Sequence, residues 1–348
     1  MDLNKLSDEE ILQLRLCELP LSIKGTWVEE CIDELYQELE GHGIIFKPSF
    51  YVADEWLTPD KEPVIGIPFF LTHPSLMKLE KKMMLDVEGG TKTWCMQLLR
   101  HETGHAINYA YKLYMRKKWQ KIFGYISVEY EDTYRFRPYS KNFVRHLEDH
   151  YAQCHPDEDF AETFSVWLTP GSNWVEVYKG WKALDKLTYV DELMKSIKGK
   201  VPLLDKGKKY WEARKIRTKL INFYRKKRQY HAEEFPDFHD QLLIKIFIPL
   251  NESEYASYSP KKKRDIPFAA SFLKKYRRQI VRNVARWTGE KKFIIDEFLK
   301  KVIMRCRMLN LVVSEEEAVA ILQITTYITT SIMNSLYTGK YSGKSWAK

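Results

Sequence analysis

Residues 94–111, WCMQLLRHETGHAINYAY, contain the motif from which the surrounding fold can be predicted, His-Glu-Thr-Gly-His at positions 101–105. His101 and His105 are four residues apart, so on a helix their imidazoles project from one face and can bind one metal ion. Glu102 follows the first histidine, which places a carboxylate beside the ion, where it can accept a proton from water. The motif therefore predicts a helix that supplies two zinc ligands and a general base.

The residues that flank the motif favour the same helix. Gly89, Gly90 and Thr91 form a start signal, and a set of residues at helical spacing predicts one buried face. That set is Leu98, Leu99, His105, Ala106, Tyr109 and Leu113. The alternative interpretation is an amphipathic helix in which one histidine is an ordinary core residue. A third metal ligand elsewhere in the chain would decide between the two interpretations.

The third ligand is not supplied by another histidine close to the motif. A third histidine six residues after the second would need His at 111 and Gly at 108, but these positions hold Tyr111 and Asn108. Cysteine pairs with metal-ligand spacing are also absent from the sequence. Residues 151–168, YAQCHPDEDFAETFSVWL, instead predict a second helix with acids in its first turn. Glu158 and Glu162 are four residues apart, so one can bind the ion and the other can hold a ligand histidine.

Several segments together resemble a known family. RHETGHAINYAY (100–111) and HLEDHYAQCHPDEDFAETFSVWL (146–168) are similar to bacterial zinc-binding metallopeptidases of a gluzincin-like group. IGIPFFLTHPSL (65–76), FLKKYRRQI (272–280) and ARWTG (285–289) extend the resemblance over most of the chain. The resemblance implies a zincin-like fold, a Zn²⁺ cofactor and hydrolysis of peptide bonds.

The second segment also resembles the corresponding stretch of anthrax lethal factor, in which Y-x6-E-x3-E carries a tyrosine, the zinc-binding glutamate and a supporting glutamate. On this sequence the spacing selects Tyr151, Glu158 and Glu162. The implied site therefore comprises the ligands His101, His105 and Glu158, the general base Glu102, the supporting residue Glu162 and the oxyanion donor Tyr151. Asp159 and His155 remain alternative third ligands.

The composition is typical of a folded protein from a reducing compartment. The 348 residues are 44% apolar and 14% aromatic, enough for one large domain or two ordinary ones. Five cysteines form no close pairs, which favours a cytoplasmic location over a disulfide scaffold. Residues 1–10 lack the apolar core of a signal peptide. The uncharged residues 318–339 contain many threonines and serines, so they predict a buried terminal helix rather than a membrane span.

Charge divides the chain into two regions. Residues 1–200 hold 25 Lys and Arg against 32 Asp and Glu, whereas residues 201–348 hold 31 against 15. We therefore predict an α+β protein with a join near residues 199–207. Its first domain, 1–200, is expected to be a mainly helical, zincin-like metallopeptidase domain with a small sheet. Its second, 201–348, is expected to be basic and mainly helical.

Two segments are candidates for contact with a substrate. Residues 44–52 and 64–71 read as strands, and VIGIPFFL (64–71) could offer its edge to an extended peptide. An ordinary core strand is the alternative, although Pro68 favours an edge. The irregular residues 115–142 could form a wall over the site. Three arginines in and after that segment could meet acidic substrate groups, but a solvated surface is the simpler interpretation. They are Arg135, Arg137 and Arg145.

The basic region reads as a series of helices with one short strand. Its predicted helices span 206–228, 269–288, 293–308 and 314–337, and its strand spans 242–250, whereas the predicted helix 174–197 belongs to the first domain. The simplest interpretation is that the cationic face of 206–228 and the run PKKKR (260–264) are solvated surface. Contact with nucleic acid is the alternative.

The sequence therefore predicts a zinc peptidase that acts on a peptide or protein, and a further alternative is that the cationic half recruits an acidic one. The competing hypothesis is a nucleic-acid-binding or scaffold protein whose zinc site is not catalytic. Glu102 argues against that hypothesis, because a structural site has no use for a base beside its metal.

Overall fold

The computed structural model describes residues 1–130, 136–137, 139–147, 150–230, 240–250 and 266–338. Arg135 and the basic run at 260–264 lie outside these residues. The described chain is mainly helical with two small two-stranded sheets, which confirms the α+β class.

In the first part of the chain, helices precede and follow one pair of parallel strands. In order they are α1 (Asp8–Gln13), α2 (Trp27–Gly41), β1 (Ser49–Ala53), β2 (Val64–Pro68), α3 (Pro74–Met84), α4 (Lys92–Ala110), α5 (Lys117–Phe123), α6 (Pro156–Leu168), α7 (Trp174–Val177), α8 (Ala183–Ile197) and α9 (Leu220–Tyr230). The remaining elements are α10 (Asp240–Ile246), β3 (Ile248–Pro249), α11 (Ala269–Thr288), α12 (Lys292–Met308), β4 (Leu311–Val312) and α13 (Glu317–Thr338).

The chain divides into two compact units, Met1–Tyr224 and Arg225–Lys348. The division falls inside α9, later than the predicted join at 199–207. Residues after that join still pack with the first unit, since the amide of Leu16 donates to the carbonyl of Thr218 at 3.1 Å. A change of surface charge therefore does not mark the end of the first packed core.

The predicted motif helix is present as α4, but it is enclosed rather than amphipathic. The hydroxyl of Thr91 accepts a hydrogen bond from the amide of Trp94 at 3.3 Å, which caps the first turn as predicted. Every residue from Leu98 to Ala110 is buried, so the apolar face predicted from the spacing covers only part of what is enclosed.

The second motif helix is present as α6, and it packs directly against α4. Pro156 occupies its first turn, and every residue from Asp157 to Leu168 is buried. Gly104 permits the close approach, because a Cβ atom there would lie 2.9 Å from the Cα of Ala161. The two helices therefore bring the HExxH face against the acidic first turn of α6.

The strand predicted as a substrate edge is an interior strand. β2 pairs in parallel with β1 on one side, with Val64 opposite Ser49. On its other side Gly66 forms a bridge with Leu57, and all of its residues are buried. The prediction that this strand offers a free edge is therefore wrong, and the alternative of a core strand holds. Pro68 is the last residue of β2, where a missing N–H interrupts no further pairing.

Other element predictions differ from the structure in their bounds. Residues 174–197 form two helices, α7 and α8, and the predicted helix 206–228 begins only at Leu220. Residues 242–250 were predicted as a strand but belong mostly to α10, followed by the short β3. A brief apolar run fits both periods, so the period alone could not decide between helix and strand.

The second unit has an apolar core formed by α11, α12 and α13. Ile324, Ile328 and Ile332 of α13 are fully buried in that core, which confirms the prediction of a buried helix over the uncharged segment. Among the described residues, no helix combines the length and apolar character that a membrane crossing requires.

Candidate metal centre

Three predicted ligands converge in the interior between α4 and α6. The Nε2 atoms of His101 and His105 are 3.2 Å apart, and Oε2 of Glu158 lies 3.0 Å and 3.1 Å from them respectively. All three side chains are buried. Two donors in a tetrahedral zinc site with bonds of about 2.0–2.1 Å lie roughly 3.3 Å apart. The group is therefore positioned to bind a metal ion, with nearly the donor spacing that tetrahedral zinc needs.

The Nδ1 atom of each imidazole is within hydrogen-bond distance of a carboxylate of α6. Nδ1 of His101 lies 2.9 Å from Oε1 of Glu162, and Nδ1 of His105 lies 2.9 Å from Oδ2 of Asp157. A carboxylate at Nδ1 favours the proton on that nitrogen, which leaves the Nε2 lone pair free for a metal. Glu162 therefore has the supporting position that the sequence predicted for it.

Asp157 was not predicted as a site residue, yet it anchors the second histidine. Its two oxygens also accept hydrogen bonds from Nδ2 of Asn108 at 2.7 Å and from the hydroxyl of Tyr109 at 2.5 Å. Three donors fix this carboxylate, so it can orient His105 firmly. The signal available in the sequence was the run of acids at the start of α6, but its spacing gave no reason to assign Asp157 to His105.

Negative charge dominates this interior. Four buried carboxyl groups, those of Glu102, Asp157, Glu158 and Glu162, surround the two imidazoles of His101 and His105. A buried group of this kind requires a compensating cation. A divalent metal would supply that charge, and the donor set of two nitrogens and one oxygen suits zinc.

The contacts between acids and imidazoles also shift the pKa values of His101 and Glu158. Burial alone lowers the pKa of His101, but hydrogen bonds with Glu158 and Glu162 outweigh it and raise the pKa to about 9. Burial alone raises the pKa of Glu158, but the neighbouring imidazoles hold it well below its usual value. The raised pKa of His101 and the lowered pKa of Glu158 therefore share one cause, the close contact between acids and imidazoles.

Glu102 has a different environment from the acids of α6. The hydroxyl of Thr58 donates to its Oε2 at 2.8 Å. Burial raises the pKa of Glu102, and the effects of the imidazoles and Thr58 offset this only in part. Such a carboxylate can accept and release a proton closer to neutral pH than an exposed one. Thr58 was not predicted, because it lies on an irregular segment remote in sequence from α4.

Two tyrosines lie beside the ligands. The ring of Tyr151, the predicted oxyanion donor, is 5.7 Å from the ring of His101 between centroids. The hydroxyl of Tyr130 donates to Oε1 of Glu158 at 2.9 Å, and its ring stacks on His155 at 3.8 Å. Tyr130 was not predicted, since it belongs to the irregular segment after α5.

The two alternative third ligands have other partners. His155 caps α6, because its Nδ1 accepts from the amide of Asp157 at 3.1 Å, and its Nε2 lies 2.9 Å from the carbonyl of Val128. Asp159 forms a buried ion pair with Lys186 at 2.5 Å. Both side chains are therefore engaged away from the paired imidazoles.

The predicted arginines behave as surface residues where they are described. Arg137 is exposed, and the guanidinium of Arg145 lies over the ring of Trp181 at 5.2 Å.

The chain was compared with protein-family models, with curated proteins and with solved structures, and it matches none of them.

Proposed function

We propose that this protein is a zinc-dependent peptidase that hydrolyses peptide bonds with Glu102 as the general base. The observation that carries the proposal is the juxtaposition of a buried His101, His105 and Glu158 group with a separate carboxylate that is not needed as a ligand. A purely structural zinc site normally closes its coordination with a fourth protein ligand. The sequence resemblance to gluzincin-like metallopeptidases supports the same activity.

His101, His105 and Glu158 would hold the ion, while Glu162 and Asp157 keep the imidazoles oriented. Bound zinc would supply Lewis-acid polarisation of the scissile carbonyl and would lower the pKa of water. Glu102 takes the proton of the attacking water and passes it to the leaving amine nitrogen. The Tyr151 hydroxyl is proposed to donate to the oxyanion that develops on the carbonyl.

The substrate is proposed to be an extended peptide that pairs with the segment Trp56–Thr58. Leu57 directs its N–H and C=O towards Gly66 of β2, with bonds of 3.4 Å and 2.8 Å. Main-chain groups alternate in direction along an extended segment, so those of Trp56 and Thr58 face away from β2. Thr58 contacts Glu102, and a peptide paired there would bring its backbone to the base. This segment replaces β2 as the candidate edge.

Glu102→Gln tests the proposal directly. The zinc-loaded variant should keep its metal, because Glu102 is not a ligand, but it should lose at least about a hundredfold in cleavage of a peptide library. Glu176→Gln, which changes an exposed glutamate on α7, is the matched control and should cleave at the normal rate. Cleavage by Glu102→Gln at the normal rate would exclude its role as base. A zinc-loaded parent protein that cleaves no library member would favour the non-catalytic alternative.

The same proposal includes a cytoplasmic location. All five cysteines are free thiols, and three of them are buried, which is the usage typical of a reducing compartment.

A further inference from the structure

α11 presents a strongly basic surface in the second unit. Between Ala269 and Thr288 the sequence contains six cations and no acid. Two of the six have acidic partners, since Lys275 pairs with Glu317 at 2.9 Å and Arg277 pairs with Asp296. Pairing therefore divides the cations of α11 into a compensated set and an uncompensated set.

The uncompensated set is a row of four exposed side chains, which we call the α11 row. It consists of Lys274, Arg278, Arg282 and Arg286. None of the four has an acidic partner among the described residues. They are spaced four residues apart, so they follow one ridge of the helix with steps of about 6 Å and a length of about 18 Å. A linear array of this kind matches a linear polyanion better than a single small anion.

The row ends at an exposed aromatic ring. Trp287 follows Arg286 and is 76% exposed, and Trp211, at 38%, is the one other tryptophan classed as exposed among the described residues. An indole left in water at the end of a cationic row can stack on a nucleobase, and such stacking does not depend on the base sequence. Three of the four cations are arginines, whose planar forks suit phosphate oxygens.

The packing of α11 distinguishes nucleic acid from an anionic membrane. An amphipathic helix that binds a membrane surface inserts its apolar face between the lipids. The apolar face of α11 is occupied, because Leu273, Ile280 and Val284 are fully buried in the core of the second unit. Apart from Trp287, the helix therefore offers charge but no free apolar stripe.

We propose that the α11 row and Trp287 bind single-stranded nucleic acid, with the row on successive phosphates and the indole stacked on a base. This inference does not depend on the peptidase activity, because it uses no residue of the metal centre. It assigns a partner to a cationic surface that the proposed hydrolysis does not use.

The test measures binding of the full chain to a fluorescent thymidine oligonucleotide of about 20 nucleotides by anisotropy, over salt concentrations from about 50 to 200 mM. Combining Arg278→Gln, Arg282→Gln and Arg286→Gln should lower the slope of log affinity against log salt by about 2, since each phosphate contact on a single strand contributes about 0.7. Trp287→Ala should weaken binding by about tenfold while the slope stays unchanged.

The matched control removes three exposed cations elsewhere in the same unit. It combines Lys226→Gln, Lys245→Gln and Arg307→Gln, and it should keep most of the affinity. Equal losses in the control and in the row variant would overturn the proposal in favour of net charge alone. Binding to vesicles of phosphatidylserine and phosphatidylcholine without binding to the oligonucleotide would overturn it in favour of a membrane. Unchanged affinity in Trp287→Ala, or no binding by the parent protein, would also overturn it.

Discussion

Two helices of nearly equal length, α4 with 19 residues and α11 with 20, place their charged side chains in opposite environments. α11 follows the amphipathic rule, with apolar residues in a core and cations outside. α4 encloses Arg100, His101, Glu102 and His105 in the interior. Ionisable groups destabilise an interior unless each is paired, so an enclosed helix that carries four of them is expected where function requires it. The difference therefore indicates which helix forms an interior chemical site and which forms a surface.

The largest expected effect comes from removing one enclosed charge. Arg100 forms two hydrogen bonds with the carboxylate of Glu38, at 2.8 Å and 2.6 Å, and both side chains are nearly buried. Arg100→Met should lower the free energy of unfolding by about 3 kcal/mol, because Glu38 is left buried without its partner. We place the loss at the low end of the usual range because Glu38 also lines an open cavity that water can enter. Chemical denaturation of the purified variant measures it.

Arg282→Met on α11 is the matched control for that change. Arg282 is exposed and has no acidic partner among the described residues, so its replacement should change stability by no more than about 0.5 kcal/mol. A loss in Arg282→Met as large as that in Arg100→Met would contradict the contrast between the two helices.

A smaller effect is expected at Gly104, where the absence of a side chain allows α4 to pack closely against α6. In Gly104→Ala the new Cβ would lie 2.9 Å from the Cα of Ala161, which is backbone and cannot rotate away. The helices must separate, so we expect a loss of about 1–3 kcal/mol in stability and weaker zinc binding, because Glu158 moves with α6. Thermal unfolding and zinc titration of the same sample measure both effects.

Gly41→Ala provides the comparison for the glycine substitution. Gly41 ends α2, and a Cβ there would meet nothing within 4 Å. Its replacement should leave zinc binding unchanged and change stability by less than about 1 kcal/mol, in the stabilising direction. If both variants behave alike, close approach at Gly104 is not what holds α4 against α6.

These substitutions also separate what the sequence could predict from what it could not. The α4 helix, its Thr91 cap and the His101–His105 pair follow from local spacing, and the pair Glu158 and Glu162 follows from a second local pattern, whereas the choice of Glu158 as the ligand came from the family resemblance. Asp157 and Thr58 act through contacts between distant segments, and no local period encodes those. The free edge assigned to β2 failed for the same reason, since the Leu57 segment that covers it is irregular. The division of the chain after Tyr224 lies later than the join expected from charge, because charge reports on the surface, whereas packing decides which segments form one compact unit.

The smallest effect we predict concerns Tyr130, which tests whether the irregular segment after α5 supports the enclosed charges. Oε2 of Glu158 faces both imidazoles, while Oε1 accepts the Tyr130 hydroxyl at 2.9 Å. That bond orients the carboxylate so that its other oxygen is directed at the Nε2 atoms of the two imidazoles. Tyr130→Phe should therefore weaken zinc binding by about tenfold, the lower end of the range for residues that position a ligand.

Tyr125→Phe removes a hydroxyl from the same segment at a ring that is 63% exposed, and it should bind zinc with normal affinity. Competition with a chromogenic chelator measures both variants, and it does not depend on peptidase activity. If Tyr130→Phe keeps the affinity of Tyr125→Phe, Glu158 is oriented by the imidazoles alone. The enclosed charges of α4 would then be supported by α6 without help from that segment, and the contrast with α11 would rest on helix packing only.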